Sequence, residues 1–241
     1  AEVTKSLDTD EALKILTKAK EEGRKTLLEH EAKKLCEIFG IPVAKSFLAK
    51  TSDEALKIAN ELGYPVVLKI VSPDILHKTD VGGVIVNIKN DKELVEAYNK
   101  ILKNVREKKP EAKIEGILVQ EMVPEGVEVI VGAIKDPFFG YAIMFGLGGI
   151  FVEILRDVSF RIVPLTEKDA YQMITEIKAY PILKGIRNIP PRDIQSIVKI
   201  LLNTSKLLEK TSLIKELDLN PIMVYEKGKG AKVVDVKVIL E

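Results

Sequence analysis

The sequence predicts an α+β protein of two mixed units, on three observations. Between residues 43 and 123, short apolar strand-like runs alternate with helical patterns. At Val123-Pro124-Glu125-Gly126 proline and glycine adjoin and the style of the sequence changes. Beyond that point, runs of alternating polarity joined by turn residues predict an antiparallel sheet with helices beside it. The expected parts are an N-terminal helical extension (1–23), a first subdomain (24–122) and a second (123–241).

The elements follow in order. Residues 10–22 and 26–39 read as helices, the second with Leu28, Leu35, Ile38 and Phe39 near one face and Gly40 as its stop. VAKSFLA (43–49) is strand-like. Thr51 with Glu54 forms a capping box for a helix over 53–62, which Gly63 ends. VVLKIV (66–71) is a buried strand, and GVIVNI (83–88) follows after a loop. A helix from 91 to 108 stops before Pro110, and ILVQEMV (117–123) completes the first half. VEVIVGAI (127–134) and YAIMFGL (141–147) flank Lys135-Asp136-Pro137 as a hairpin, and SFRIVPL (159–165) adds a strand. Thr166 and Asp169 cap a helix, Pro190-Pro191 opens a long one through Leu208, and strands at 214–224 and 231–240 end the chain.

Composition narrows the function. The chain has 241 residues, and its 37 Lys and Arg nearly cancel 36 Asp and Glu, so it lacks the global field of a nucleic-acid or membrane-surface protein. The one cysteine, Cys36, sits among apolar positions and suits a reducing compartment. The opening AEVTKSLDTDEALK has no signal-peptide pattern, and the expected location is the cytoplasm. The longest uncharged stretch, residues 138–152, holds four glycines and falls short of the roughly 20 residues that span a bilayer. Charged residues make up 30%, with no Trp, a balance that thermophiles favour.

The P-loop pattern is absent, and GLGG (146–149) lacks the third glycine of a dinucleotide fingerprint; it either bends a strand or approaches a ligand. Lys69 interrupts the apolar run VVLKIV, and a lysine there either snorkels to water or meets an anion such as a phosphate. One of two histidines, His77, lies in SPDILHKTDVGG (72–83), a loop with turn residues at both ends. In ELDLNP, Glu216, Asp218 and Asn220 share one strand face, and in VVDVKV so do Asp235 and Lys237. These are either the wet side of a sheet or a set of oxygens for Mg²⁺ beside a nucleotide. Glu121 and Val123 lie on the segment joining the halves, whose backbone groups suit an adenine edge; Glu128, just beyond, suits ribose hydroxyls.

Taken together, GYPVVLKIVSPDILHKTDVGGV, FGLGGIFVEILRDVSFRIVPL, DLNP and VVDVK resemble, in place and order, the β subunits of ADP-forming acetyl-CoA synthetases, within the nucleoside-diphosphate-forming acyl-CoA synthetase superfamily. The resemblance covers nearly everything from Arg24 to Glu241. It implies an ATP-grasp fold, with two subdomains clasping a nucleotide. On this resemblance Lys69 contacts the phosphates of ADP or ATP, Gly82 and Gly83 belong to a loop over them, Glu121 and Val123 pair with adenine through the backbone, and Glu128 faces the ribose. Asn220 and Asp235 hold Mg²⁺. His77 matches a phosphorylatable histidine, and Asp218 stands where succinyl-CoA synthetases have a glutamate that supports a phosphohistidine. The implied partner is an α subunit with the CoA and acyl-phosphate sites, in an α2β2 assembly that makes ATP from acyl-CoA, ADP and phosphate. The alternative is a regulatory nucleotide-binding module of the same fold without phosphotransfer, which needs no nucleophile at the loop tip.

Overall fold

The structure, a computed structural model, describes residues 2–241, with side chains described from Thr9 onward. Of the expected extension, Ala1 and the side chains of residues 2–8 therefore lie outside the described residues. The chain divides into two units: a smaller one of residues 28–30 and 44–123, and a larger one of residues 1–27, 31–43 and 124–241. Two helices come first, α1 (Glu2–Glu21) and α2 (Glu29–Ile38). Glu29 and His30, at the start of α2, belong to the smaller unit and the rest of α2 to the larger.

The smaller unit contains β1 (Ser46–Ala49), α3 (Ser52–Leu62), β2 (Val66–Val71), β3 (Val84–Ile88), α4 (Asp91–Lys108) and β4 (Gly116–Glu121). Its strands lie in the order β1-β4-β2-β3, every neighbouring pair antiparallel. The alternation of strand and helix arises because β1-α3-β2 and β3-α4-β4 are each βαβ crossovers, but each is split by a strand of the other, so no parallel pair is in contact. Capping fixes the helix starts: Thr51 accepts from Glu54 N at 3.1 Å, and Asn90 from Glu93 N at 2.9 Å. Leu94, Ala97, Tyr98, Ile101 and Val105 recur at the spacing of one α4 face and are buried with Leu68, Ile70, Ile117 and Val119 of the sheet. Each large aliphatic side chain so buried contributes about 1.5–3 kcal/mol.

The larger unit contains β5 (Val127–Asp136), β6 (Gly140–Leu147), α5 (Ile150–Glu153), β7 (Val158–Ile162), α6 (Glu167–Glu176), α7 (Tyr180–Lys184), α8 (Ile194–Glu209), β8 (Ile214–Val224), β9 (Ala231–Val233) and β10 (Val236–Leu240). Its sheet is antiparallel, in the order β10-β8-β5-β6-β7, with β9 also on β8. One face, with Val131, Ile143, Phe145, Leu219 and Val238, is buried in a core that also takes Ala12, Leu16 and Ala19 of α1 and Ile197 and Leu201 of α8. From Thr9 on, the N-terminal helix is thus a packed part of this unit. Cys36 is in the same core, where burial pushes its thiol up to about 12 and leaves it unreactive. Among the described residues no helix is long and apolar enough to cross a membrane.

Several expected boundaries move, and in three of them contacts from distant segments override the local pattern. The second helix starts at Glu29 and not at Thr26: Thr26 bridges Ile239, and Leu27 N donates to Val238 O at 3.1 Å, so this segment extends along the sheet edge. The last strand, continuous in its alternation, breaks at Val234-Asp235 into β9 and β10. The long helix begins at Ile194, beyond Pro190-Pro191, because Asp193 caps it, accepting from Ser196 N at 3.1 Å and from Gly230 N at 2.7 Å.

Asp193 is itself a measurable link. Burial alone would raise its carboxyl, but the donors of Gly230 and Ser196 outweigh that and hold it below the ordinary value. A depressed folded-state pKa means that its stabilisation is present above the ordinary carboxylate pKa and is lost as pH falls through the folded value. Asp193→Ala should cost about 1–2 kcal/mol in urea unfolding at neutral pH. The gap between wild type and variant should shrink in acid; a gap constant down to about pH 2 would show that the charge is not what matters.

Candidate functional site

The smaller unit presents His77 on an irregular loop between β2 and β3. The loop is pinned at both flanks. Ile75 and Val81 are buried at 6% and 7% exposure, whereas Leu76 is 63% exposed and His77 is exposed beside it. Asp74 accepts from Lys113 N at 2.7 Å, and Asn104 Nδ2 donates to Gly82 O at 3.1 Å. A movement hinged at Ser72-Pro73 and Gly82-Gly83 would expose Ile75 and Val81, so the segment free of buried apolar side chains is residues 76–80.

Both glycines of the loop have local reasons to be glycine. Gly82 has φ of 65°, and a Cβ there would lie 2.6 Å from Asn104 Nδ2; a Cβ on Gly83 would lie 2.4 Å from Ile70 Cγ2. Ile70 N donates to Gly83 O at 2.8 Å, fixing the return of the loop onto β2. These two residues thus set the shape of the loop.

Lys69 is buried in β2, and it has found an anion. Its Nζ donates to Glu29 Oε1 at 2.8 Å and to Gln120 Oε1 at 3.1 Å. The other oxygen of the same carboxylate, Glu29 Oε2, takes Lys78 Nζ, one residue beyond His77. One buried carboxylate therefore joins two ammonium groups, the kind of donor that binds phosphate oxygens. Sequence reasoning missed Glu29, Gln120 and Lys78. The available signal was that a lysine in a buried strand demands a counter-charge, but nothing local names a glutamate 40 residues away.

On the larger unit, the face of the sheet opposite its core collects the other candidates. β8 carries Glu216, Asp218 and Asn220 there, and β10 carries Lys237, directly across from Asp218. Further along, the same face turns apolar, with Ile134, Met144, Phe160 and Ile162. At Asn220-Pro221 the register of β8 against β5 slips: Val131 faces Leu219, yet Val129 faces Ile222. This is a bulge, the place where a proline is tolerated inside a sheet. The break between β9 and β10 lies opposite it, so Asn220 N donates to Asp235 O at 3.1 Å and Val234 N to Pro221 O at 2.9 Å. The fold thus brings Asn220 and Asp235 side by side.

Asp218 is held between opposing influences. Burial pushes its carboxyl above the ordinary value; Lys237 and a hydrogen bond from Asn220 oppose this, and the negative charges of Glu216 and Asp235 add to it. The oxygen set of Asn220, Asp235 and Asp218 fits a hard divalent cation. Among the described residues no three His, Cys, Asp or Glu side chains form a complete metal site. A partial set is what Mg²⁺ takes when phosphates and water supply its remaining ligands.

Glu128, on β5, is exposed on this face as well, and Gly148 of the GLGG turn packs on it: Gly148 N donates to Glu128 O at 2.9 Å, and a Cβ on Gly148 would lie 3.2 Å from Glu128 Cβ. That close approach, more than strand bending, accounts for the glycine. Glu121 ends β4 in the smaller unit, its N–H donating to Lys45 O at 2.9 Å and its carboxylate accepting from Lys45 N at 3.1 Å. Val123 follows on the extended stretch that leads into β5.

Comparison with known proteins gives one family. An ATP-grasp domain matches residues 18–240. The β subunit of ADP-forming acetate–CoA ligase II from Pyrococcus furiosus is 55% identical over 232 residues, covering 96% of this chain and 98% of that one. A crystal structure from Pyrococcus horikoshii Ot3 superposes with a TM-score of 0.92 at 53% identity, covering 97% and 99% of the two chains. A structure of acetyl-coenzyme A synthetase 1 from Ca. Korarchaeum cryptofilum, described as a complex with coenzyme A and Mg-AMPPCP with its phosphohistidine segment pointing towards the nucleotide binding site, superposes with a TM-score of 0.84 at 48% identity, covering 95% and 100%.

Proposed function

The chain belongs to the ATP-grasp family, among the β subunits of ADP-forming acetate–CoA ligases, and on that premise we propose that it passes a phosphoryl group between its partner subunit and ADP by way of His77. The observation that carries this reading is the placement of His77: exposed at the tip of a loop pinned at Ile75 and Val81, and next to Lys78, which shares Glu29 with Lys69. The phosphohistidine segment described for the Ca. Korarchaeum cryptofilum enzyme supports it.

In the step that makes ATP, a terminal oxygen of ADP attacks the phosphorus held on His77. The oxygen–phosphorus bond forms as the nitrogen–phosphorus bond breaks, and the ring nitrogen keeps the electron pair and takes up one proton. Imidazole suits this because it is nucleophilic near pH 7 and its phosphoramidate stays reactive. Lys69 would hold phosphate oxygens, Glu121 and Val123 the adenine, and Glu128 the ribose. Asp218 would support a phosphohistidine. Asn220 and Asp235 would hold Mg²⁺, which neutralises phosphate charge in such transfers. The acyl chemistry is assigned to an α subunit, in an α2β2 assembly.

Titration calorimetry of ADP into the chain tests the nucleotide and metal assignments together. Binding should be tighter with Mg²⁺ than without, and Asp235→Ala should remove that difference while the far-UV spectrum is kept. Equal affinity with and without Mg²⁺ in the wild type rejects the metal assignment. The purified chain should form no acetyl-CoA from acetate, ATP and CoA until an α subunit is added, and robust synthesis by the chain alone would overturn the division of labour.

A further inference from the structure

The charge cluster behind the His77 loop does more than satisfy Lys69. Lys78 lies in the exposed 76–80 segment and sends its ammonium group inward to Glu29, whose side chain is 6% exposed. Glu29 divides its two oxygens between Lys78 and Lys69, so a single carboxylate fixes the residue after His77 relative to the lysine assigned to the nucleotide phosphates. The two contacts that hold the loop flanks, from Lys113 N to Asp74 and from Asn104 to Gly82 O, lie outside residues 76–80. A third, from Lys108 Nζ to Asp80 O at 3.3 Å, reaches the end of the segment from an exposed side chain. The backbone of the segment is tied locally, Gly83 N donating to Lys78 O at 2.8 Å, and its side-chain tether to a buried group is the one from Lys78 to Glu29.

We propose that Lys78 and Glu29 are positioning residues for the ADP half of the relay, a latch that docks the His77 loop on the nucleotide side through the carboxylate shared with Lys69. This rests on the reading of His77 as the phosphoryl carrier. Phosphoryl transfer depends on holding the attacking oxygen, phosphorus and leaving nitrogen in line. An exposed loop tip cannot supply that by itself, whereas an ion pair one residue away, anchored on a buried carboxylate, can. Departure of the loop requires Lys78 to leave Glu29, and Glu29 then remains with Lys69 and leaves no bare charge behind. The latch therefore serves the exchange between His77 and the nucleotide, and not the loading of His77 from the partner subunit.

The test uses the complex reconstituted with its α subunit and measures the two half-reactions apart: ATP–ADP exchange through His77, and phosphorylation of His77 from acetyl-CoA and phosphate. Lys78→Met should lower the exchange on the order of 10- to 100-fold, with a loss in loading at least about tenfold smaller. Lys78→Arg, which keeps the ion pair, should recover most of the exchange. Amide hydrogen exchange over residues 76–80 should speed up in Lys78→Met and not in Lys78→Arg. Equal losses in both half-reactions would mean a general structural role and overturn the proposal, as would unchanged exchange in Lys78→Met. Failure of the carrier reading itself is distinguished by His77→Ala: if that complex still turns over, the relay falls, whatever Lys78 does.

Discussion

Replacing His77 with alanine should abolish net ATP formation in the complex with the α subunit, to below about one part in 10³ of wild type, as removal of an obligatory nucleophile does. The variant should remain folded and bind Mg–ADP, because His77 is exposed and neither buried flank of its loop is touched. In the wild type, γ-labelled ATP with Mg²⁺ should leave label on this chain that is lost in acid and kept in alkali, the behaviour of a phosphoramidate and not of a serine ester. His77→Ala should take none. A regulatory module of the same fold would bind nucleotide equally well in both proteins and become labelled in neither, so labelling separates it from the relay. Turnover of His77→Ala at the wild-type rate would make the loop a lid and not a carrier.

What could be read from the sequence divides along a physical line. Features written in local periodicity were legible. The β5–β6 hairpin follows from alternation on both sides of Lys135-Asp136-Pro137, and its turn is closed by Asp136 Oδ1 accepting from Phe138 N and Phe139 N at 2.8 and 2.9 Å. Strand β8 runs over the residues expected of it, 214–224, and alternation placed Asp218 and Asn220 on one face. The bulge at Asn220-Pro221 had a signal too, a proline inside a central strand, but what it accomplishes was hidden: it meets a break in a strand pair whose own alternation, VVDVKV, runs on without interruption. Only the pairing of the two brings Asn220 beside Asp235.

Features made by long-range contact left at most half a trace. Lys69 was conspicuous as a charge in an apolar run, while Glu29, its counter-charge, looked like any acid at the start of a helix. The smaller sheet left a partial trace as well. Its alternation of strands and helices was legible but its strand order was not, because the strand inserted into each crossover comes from elsewhere in the chain. In both cases the missing information is which distant segment fills a given place, and that is decided by the packing of the whole unit.

Lys69 and Glu29 should separate binding from stability when each is replaced by methionine. Lys69→Met removes a cation assigned to the phosphates and should weaken Mg–ADP binding by about 1.5–3 kcal/mol, the range of a hydrogen bond to a charged group. Folding of the smaller unit should suffer less, since Glu29 keeps Lys78 and the methionine roughly fills the volume of the lysine stem. Glu29→Met does the reverse. It removes the shared carboxylate from two lysines at once, one of them in a buried strand with 7% of its surface exposed, and breaking a buried ion pair by removing one partner costs about 3–5 kcal/mol. Urea unfolding should therefore rank Glu29→Met well below Lys69→Met, while calorimetry at a temperature where both remain folded should rank their nucleotide affinities the other way. The reversal follows from the carboxylate serving the lysines and the lysines serving the phosphate. If both variants lost affinity and stability in the same proportion, Lys69 would be a structural partner of Glu29 and its assignment to the nucleotide would have to be withdrawn.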